Sequence, residues 1–347
     1  MQVKVDKLDI AGQSWKEFTL SNTQGMEVSL LNYGGIITKI MTPNKNNEFE
    51  NVILSYANYE DYLDNPNFFG ALIGRVAGRI EASSFQLDGK TYNLPSNEGE
   101  HHLHGGSVGF HKVLWQADTF EEAESVGVTL THRSQDGEAG YPGNLVMKVT
   151  YTLTNENAFS ITYEAVADQK TVLTPTNHSY FNLSGNLKTD ILQHDITMEA
   201  SRFVELDHEL IPTGKILPVE GTVFDFRRGH AIIDGVHSVD QQNLVALNGY
   251  DHYFLFDHNK KENVVVTEQT SGRKLTVQTD QPGIVMYTSN GLDDTLELRE
   301  GKSAKYLGVC LETQSSPASL EHEDFPSIIL EKDAPYKTTT SFTFSTK

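Results

Sequence analysis

Short runs of β-branched and aromatic residues, separated by turn residues, recur from one end of this chain to the other. Helices of a globular protein would instead place apolar residues three or four positions apart over roughly ten residues or more, and that spacing is scarce here. The pattern is typical of β-strands joined by tight turns, so it predicts an all-β fold. Only two short helical pieces are expected, at Tyr59 to Asn65 and near Asp240 to Leu247.

Several stretches carry the more specific signal of a β-hairpin, which is two alternating runs about a turn. The clearest is SFQLDGKTYNL, residues 84–94, which alternates about Asp88-Gly89, a dipeptide that favours a two-residue turn. The same pattern or further strand-like runs occur in residues 145–167 about Asn155–Asn157, in residues 264–279 about Ser271-Gly272, and in residues 327–346. No linker rich in Pro, Gly or Ser divides the chain, so we expect a single large antiparallel β-sandwich domain over residues 1–347.

The charge balance is strongly acidic, with 27 Lys plus Arg against 47 Asp plus Glu and a formal net charge of −20. Such a surface repels nucleic acids and anionic membranes, whereas it is no obstacle to a neutral small molecule. Cys310 is the only cysteine, so no internal disulfide forms, which suits a reducing cytosol. The N-terminus lacks the apolar core of a secretory signal, and no membrane-length apolar run occurs, so we expect a cytoplasmic protein.

The stretch TPTNHSYFNL brings polar and aromatic groups together around His178, directly after an apolar run. Pro175 cannot donate a hydrogen bond to a sheet, so the strand is expected to end or to lie at an edge there, with His178 at the strand end. Asn177 and Ser179 are expected to orient the imidazole. Tyr180 is expected to stack on the apolar face of a flat ligand.

Two carboxylates adjoin apolar strands. Glu312 comes directly after the run Val309–Leu311, and a carboxylate at the end of a buried strand is desolvated, which raises its pKa and makes it a competent general base. Asp251 follows a Gly-Tyr turn and begins an apolar strand, where the pattern alone favours a turn or capping role. Cys310 is expected to pack in its strand as a small hydrophobe.

Arg75 and Arg79 lie among glycines and small apolar residues in GALIGRVAGRIEAS, residues 70–83. A guanidinium is a planar fork of hydrogen-bond donors that keeps its proton, so either arginine could hold a polar ligand. The commoner role of an arginine is that of a surface cation paired with one of the many carboxylates.

Three histidines fall within four positions, His101, His102 and His104, and His111 follows nearby. Such a cluster invites a metal site, but no carboxylate or cysteine spacing matches one, so we expect none. His101 and His102 are expected to be exposed loop residues. The glycines at 105 and 106 would permit close approach of the backbone to a ligand.

Taken in order over residues 70–319, these motifs resemble those of the aldose 1-epimerases, the galactose mutarotases. Two positions depart from that family: Thr174 stands where Asn or Ser is usual, and Gly78 stands where some relatives have Asn. The matching segments are Leu-His-Gly-Gly at 103–106, Thr-Asn-His-x-Tyr-Phe-Asn at 176–182, Gly-x-Asp-His at 249–252 and Leu-Glu-Thr-Gln at 311–314.

The resemblance implies a large β-sandwich of the galactose mutarotase type, with a sugar site in an open cleft on one face. The implied reaction interconverts the α and β anomers of a free hexose, galactose or glucose, without a cofactor or a metal. The implied site consists of Glu312 as general base and His178 as general acid, with Arg79, His104 and Asp251 holding the sugar and Tyr180 lining the cleft.

Three other functions remain open at this point. The first is the same reaction on another sugar, such as xylose, maltose or a hexose 6-phosphate. The second is a sugar-binding protein without activity on the same scaffold. The third is a glycoside hydrolase that uses Asp251 and Glu312, although the histidine motifs do not call for that chemistry. The expected partner is a monosaccharide, and the chain is expected to be a monomer or a homodimer.

Overall fold

The computed structural model describes residues 1–257 and 262–347, and antiparallel strands dominate it. The predicted all-β sandwich is therefore confirmed. The strands of the described residues are, in chain order, β1 Gln2–Ile10, β2 Gln13–Ser21, β3 Glu27–Leu31, β4 Ile37–Pro43, β5 Phe49–Asn51, β6 Leu72–Ile73, β7 Arg79–Ile80, β8 Ser84–Leu87, β9 Lys90–Asn93, β10 His102–Leu103, β11 Gln116–Glu121, β12 Ser125–Ser134, β13 Leu145–Thr154, β14 Ala158–Ala167, β15 Thr171–Val172, β16 Thr176–Asn177, β17 Tyr180–Phe181, β18 Asp195–Met198, β19 Ala200–Leu206, β20 Pro212–Pro218, β21 His230–Ala231, β22 Asp251–Phe256, β23 Val264–Thr267, β24 Arg273–Thr279, β25 Gly283–Tyr287, β26 Glu297–Leu298, β27 Gly301–Lys302, β28 Val309–Gln314, β29 Ile329–Leu330 and β30 Tyr336–Thr346.

Helices are short and few, as expected. The two predicted helical pieces are confirmed as a 3₁₀ turn at Tyr59–Leu63 and as helix α2 below. The helical segments of the described residues are α1 Ile233–Val236, α2 Gln241–Val245 and the 3₁₀ turns Tyr59–Leu63, Glu81–Ser83, Phe110–Lys112, Glu138–Gly140, Phe226–Arg228 and Pro317–Leu320. None of these segments has the length and apolar content that a membrane span requires.

The three larger sheets have five, nine and six strands. Their strand orders are β1-β2-β3-β4-β5, β11-β12-β13-β14-β30-β24-β23-β18-β21, and β17-β28-β25-β22-β19-β20. The predicted hairpins are confirmed as the pairs β8 with β9, β13 with β14, and β23 with β24. The two strand-like runs at the C-terminus are β29 and β30.

One hydrophobic cluster joins all three larger sheets. It contains Phe18 from the five-stranded sheet, Val149 and Phe342 from the nine-stranded sheet, and Phe254 and Leu311 from the six-stranded sheet. Each fully buried side chain of this kind stabilises the fold by about 1.5–3 kcal/mol, so the cluster firmly fixes one face of the six-stranded sheet. The other face of that sheet is left to form a site.

Strand β28 shows how the two faces are divided. Val309 and Leu311 belong to the central cluster, whereas Cys310 and Glu312 alternate with them and point away from it. Across the sheet Glu312 is opposite Val285, which in turn is opposite Tyr253. The alternation therefore places a carboxylate on the face that carries the site.

Candidate active site

A cleft of about 330 Å³ opens over that second face, a volume in the usual range for a small-molecule site. We define the cleft by the residues of its floor, which are Tyr180, Tyr253, Val285, Tyr287, Glu312 and Gln314. Loops that connect the strands form its walls. They contribute Phe68, Glu98, His104 and His178, while Arg79 and Asp251 enter the walls from the first residues of β7 and β22. All six residues that the sequence motifs single out therefore line one cleft.

Glu312 does not end its strand as predicted. Strand β28 continues to Gln314, because Thr313 and Gln314 still pair with Ile284 and Gly283 of β25. A charged residue is tolerated inside the strand because its side chain points into the cleft rather than into the core. The carboxylate is nevertheless only 3% exposed, and its Oε2 has no hydrogen-bond partner among the described residues.

This environment changes the acidity of Glu312. Burial raises the pKa of the carboxyl group well above its usual range, and the nearby Asp251 carboxylate raises it further. The cation of Arg79 opposes both effects only in part. The predicted desolvation of this carboxylate is thus found, and its raised pKa makes the ionised carboxylate a stronger proton acceptor than an exposed glutamate.

His178 lies between β16 and β17, where Pro175 was expected to interrupt the strand. Its Nε2 is 3.5 Å from Glu312 Oε1, and its Nδ1 is 3.5 Å from Cys310 Sγ. Burial lowers the pKa of the imidazole to about 4. The histidine and the glutamate therefore form a buried pair in which both groups are driven toward their neutral forms.

The predicted role of the two residues beside the histidine is wrong. Asn177 donates to the carbonyl of Gly70 at 2.9 Å, and its Oδ1 accepts from the Ser179 hydroxyl at 2.6 Å. They hold the main chain rather than the imidazole. Backbone hydrogen bonds to residues 70 and 71 complete that support, so the histidine is carried on a rigid segment.

Two threonines tie this segment to the strand of Glu312. Thr174 donates to the carbonyl of Ser315 at 3.1 Å and accepts from its N–H at 3.0 Å. Thr176 donates to the carbonyl of Thr313 at 3.1 Å. The departure from the family pattern at Thr174 thus keeps a hydroxyl that helps to fix the distance between His178 and Glu312.

His104 is fixed in one tautomer by a backbone group. Its Nδ1 accepts a hydrogen bond from the Gly78 N–H at 3.1 Å, so in the neutral ring the proton is on Nε2. Burial, with help from the neighbouring His178 and Arg79, lowers the pKa of His104 well below its usual value. His104 is therefore a neutral hydrogen-bond donor at the wall of the cleft.

The glycines at 105 and 106 serve the protein itself rather than a ligand. A Cβ at Gly105 would lie 1.9 Å from the carbonyl oxygen of Gly74, and one at Gly106 would lie 2.6 Å from the ring of His102. Neither glycine lines the cleft. The predicted approach to a ligand is wrong at both positions, because these glycines allow close packing that supports His104.

His101 and His102 are buried, so the prediction that they are exposed is wrong. Strand β10 pairs with β7 and draws the loop back onto the body of the protein. His101 Nδ1 then accepts the N–H of Ala82, and His102 Nδ1 lies 2.7 Å from the carbonyl of Pro95. These two rings stabilise the wall of the cleft without lining it.

In the described part of the chain, the side chains that come close enough together to bind a cation are not those of the histidine run, where no metal was expected. They are those of His104, His178 and Glu312, whose ligand atoms lie within 4.8 Å of one another. The donor set does not fit a metal ion well, because ligation through Nε2 of His104 would require its proton to move to Nδ1. That shift would leave the buried N–H of Gly78 without its acceptor.

Arg79 lies at the edge of the cleft between two carboxylates. Its Nε and Nη2 donate to Glu98 at 2.6 and 2.9 Å, while Nη1 lies 3.9 Å from Asp251 Oδ2. Burial raises the pKa of Asp251, and the Arg79 cation opposes that shift. Arg75, in contrast, is a buried structural residue that donates to Ser134 and to backbone carbonyls, so a surface role for it is wrong.

Tyr180 lies in the floor of the cleft, with its ring centroid 5.1 Å from that of His178. Its hydroxyl donates to the carbonyl of Asn67 at 2.9 Å, which fixes the ring in place. The predicted position at the cleft is found. Stacking of this ring on a ligand stays a prediction.

Sequence reasoning missed several cleft residues. Gln314 follows Glu312 by two positions, so the alternation of the strand could have placed it on the same face. Phe68 has a left-handed backbone, with φ of 55°, and its ring lies 4.8 Å from His104 and 5.8 Å from His178. No local pattern singles out Phe68 or Glu98, because each enters the site through a loop.

The large antiparallel β-sandwich of this chain has the fold of the galactose mutarotase-like class of proteins. The model of the family "Aldose 1-epimerase" matches residues 16–343. A galactose mutarotase of Rattus norvegicus is 40% identical over 342 residues, 98% of this chain and 96% of that protein. A maltose epimerase of Levilactobacillus brevis is 32% identical over 96% of both chains.

Comparison with solved structures points to the same family. The crystal structure of a galactose 1-epimerase from Lactobacillus acidophilus superposes with a TM-score of 0.88 at 32% identity, covering 99% of each chain. The chain belongs to the aldose 1-epimerase family. It is accordingly an isomerase, as the resemblance of its motifs implied.

Proposed function

We propose that this enzyme interconverts the α and β anomers of a free hexose, galactose or glucose, with Glu312 as the base and His178 as the acid. The observation that carries this proposal is the 3.5 Å separation of Glu312 Oε1 and His178 Nε2 inside a buried cleft. An unpartnered carboxylate oxygen beside them, within the described residues, supplies an acceptor for a sugar hydroxyl.

Ring opening starts from the form in which the single proton of the pair has moved from Glu312 to Nε2 of His178, across their 3.5 Å contact. It then requires two proton transfers and one bond cleavage. Glu312 takes the proton of the C1 hydroxyl as the C1–O5 bond breaks and C1 becomes a carbonyl carbon. The electron pair of that bond goes to O5, which takes the proton from Nε2 of His178. Rotation about C1–C2 and the reverse transfers on the other carbonyl face then give the second anomer, so no external acid or base is consumed.

The surroundings of the pair suit this cycle. After ring opening Glu312 is protonated and His178 is neutral, which are the forms that burial favours at both groups. The cleft therefore stabilises the protonation state of the open-chain intermediate relative to a charged pair. Preorganised electrostatics of this kind commonly supply a large share of an enzyme's rate enhancement.

The remaining wall residues would hold the sugar. His104 offers its Nε2–H, Arg79 offers the N–H groups that Glu98 does not occupy, and Asp251 offers carboxylate acceptors. Tyr180 would pack against the ring. Each contact is weak alone, but together they would set which hydroxyl reaches Glu312.

A hexose 6-phosphate is a poor fit to this cleft. Among the described residues that line it, Arg79 is the sole permanently charged cation, and two of its donor nitrogens are bound to Glu98. The carboxyl groups of Asp251 and Glu98 add negative character. A neutral sugar avoids the resulting repulsion, whereas maltose stays a second candidate because a related enzyme carries that name.

Polarimetry tests the proposal. Purified enzyme should accelerate the mutarotation of freshly dissolved α-galactose or α-glucose well above the buffer rate, and Glu312→Gln should abolish the acceleration. Equal rates with and without enzyme for both hexoses, while maltose responds, would overturn the choice of substrate. No response with any reducing sugar would overturn the proposed function.

From the lone buried cysteine we further propose that the enzyme acts in the cytoplasm.

A further inference from the structure

We propose that Cys310 is a positioning residue for His178, and that its sulfur selects the tautomer in which the proton is on Nδ1 and Nε2 is free. This inference rests on the proposed role of His178. It assigns a function to a side chain that the sequence predicts to be a simple packing residue.

Nδ1 of His178 lies 3.5 Å from Cys310 Sγ, within hydrogen-bonding range for sulfur, and both residues are buried. Within residues 1–257 and 262–347, Cys310 is the only side chain that hydrogen-bonds to Nδ1, and a hydrogen bond of the ring to the backbone of His178 itself acts beside it. The opposite nitrogen, Nε2, is the one that faces Glu312 Oε1. The imidazole is therefore held between a thiol on one side and the catalytic carboxyl group on the other.

The reaction requires Nε2 to be bare once it has given its proton to the sugar, because the same atom must recover that proton when the ring closes. A neutral imidazole with a bare Nε2 carries its proton on Nδ1. That proton points at Cys310, whose sulfur accepts it as a weak hydrogen bond. The thiol thus favours the one neutral form that can complete the cycle.

The sulfur suits this task because it is a weak acceptor without charge. A carboxylate in its place would stabilise the imidazolium and raise the pKa of His178. Burial also keeps the thiol protonated, since it raises the pKa of Cys310 well above its usual value. The ring is oriented while its basicity stays low, which agrees with the lowered pKa of His178.

Strand geometry keeps the sulfur in place. Cys310 is opposite Tyr180 in β17 and opposite Tyr287 in β25, so the strands on both sides fix its backbone. It comes two residues before Glu312 on the same face of β28. One strand thereby supplies both the base and the group that orients the acid.

His104 provides an internal contrast. Its Nδ1 accepts from the Gly78 N–H, which leaves the proton on Nε2 toward the cleft. The two histidines stand nearly perpendicular, with ring centroids 5.2 Å apart, and we infer that they have opposite tautomers. One ring then donates to the sugar, and the other exchanges a proton with it.

The direct test is nitrogen NMR of the ring in the wild-type enzyme, labelled with ¹⁵N-histidine and assigned by comparison with His178→Asn. We expect His178 to have its proton on Nδ1 at neutral pH, and His104 to have its proton on Nε2. A proton found on Nε2 of neutral His178 would overturn the inference. This measurement does not depend on activity. The inferred tautomer can therefore be refuted while the proposed function stands, and the proposed function can be refuted while the inferred tautomer stands.

A matched pair of variants supplies the kinetic test. Cys310→Ala removes the polar atom and should lower kcat roughly three- to tenfold, the effect of one modest hydrogen bond, with KM unchanged. Cys310→Ser retains a hydrogen-bonding atom and should stay within about twofold of wild-type kcat. Wild-type kcat in the Ala variant would overturn the inference. So would an equal loss in both variants, because packing alone would then explain the residue.

Discussion

The guanidinium of Arg79 and the carboxylate of Glu98 form a two-bonded ion pair, at 2.6 and 2.9 Å, on the edge of the cleft. A guanidinium in such a pair loses its freedom to rotate, so Glu98 decides which N–H groups remain for the sugar. The carboxylate comes from a tight turn, in which Glu98 and His101 exchange backbone hydrogen bonds.

Glu98→Gln should therefore weaken sugar binding through Arg79. We expect KM to rise roughly tenfold, the size of one charge-assisted hydrogen bond, with little change in kcat. Steady-state kinetics in an Arg79→Met background give the control. If Glu98 acts through Arg79, adding Glu98→Gln to that variant changes KM no further. Fully multiplicative effects would show that Glu98 acts independently of the arginine.

The proposed acid–base pair of Glu312 and His178 predicts strong and non-additive losses of activity. Glu312→Gln and His178→Asn should each lower kcat by roughly 10²- to 10⁴-fold, since either loss leaves one proton transfer to water. The kcat of the double variant should be little lower than that of the less active single variant. Stopped-flow polarimetry of all three measures this, with thermal unfolding as a check on the fold. Near-full activity of Glu312→Gln would refute the mechanism.

The pH dependence of kcat/KM follows from the pKa shifts of His178 and Glu312. His178 has a pKa lowered to about 4, so below that pH the pair gains a second proton and kcat/KM should fall. The pKa of Glu312 is raised, so the alkaline fall should come well above the usual range of a glutamate, where the pair loses its last proton. The two limits belong to the coupled pair. A profile with an acid limit near pH 6.5, as for an exposed histidine, would contradict this prediction.

Metal removal should leave the activity intact. The Gly78 N–H holds His104 in the tautomer that presents a proton rather than a lone pair to the cleft. We therefore expect full mutarotation after exhaustive EDTA treatment and dialysis. Activity that disappears with EDTA and returns with Zn²⁺ would contradict the proton-transfer mechanism and would assign the three cleft ligands to a metal.

Stability should depend on pH through a histidine remote from the cleft. His194 is buried, its Nε2 accepts the Leu183 N–H at 2.9 Å, and burial lowers its pKa to about 4. Because its pKa in the unfolded chain is near 6.5, the unfolded state binds more protons below that pH, and stability falls as the pH decreases. Between pH 7 and 5 this one group should cost about 2 kcal/mol.

Urea unfolding of the wild type and of His194→Gln at both pH values measures that cost. The variant keeps an acceptor for the backbone N–H but does not titrate. Its free energy of unfolding should therefore change less between the two pH values, by about the same 2 kcal/mol. Other groups, such as Glu312, change the free energy of unfolding with pH in the opposite direction. Their contributions are the same in both proteins and cancel when the two are compared. Identical pH dependence in the two would refute the prediction.

The strands were predictable because their evidence is local. Alternation and turn residues located three hairpins, and the motif resemblance brought Glu312, His178, Arg79, His104, Asp251 and Tyr180 to one site. The errors arose where pairing between distant segments decides the outcome. Nothing near His101 and His102 indicates that β10 will pair with β7 and bury them.

The strand end predicted at Glu312 failed for a related reason. A charge after an apolar run ends a strand only when both faces are buried, and here one face opens to the cleft. Predicting the roles of Glu98 and Cys310 from the sequence would have required still more information. Their importance lies in one contact each, to Arg79 and to His178, across 19 and 132 residues of sequence.

The alternation of β28 has a consequence for how this enzyme can fail. A slip of one residue in the pairing of that strand would turn Glu312 and Cys310 into the apolar core and bring Leu311 to the cleft. The same strand register thus determines both the position of the proposed acid–base pair and the packing of the interior. A misaligned molecule would lose its activity and its stability together, which leaves little room for a folded but inactive population to persist.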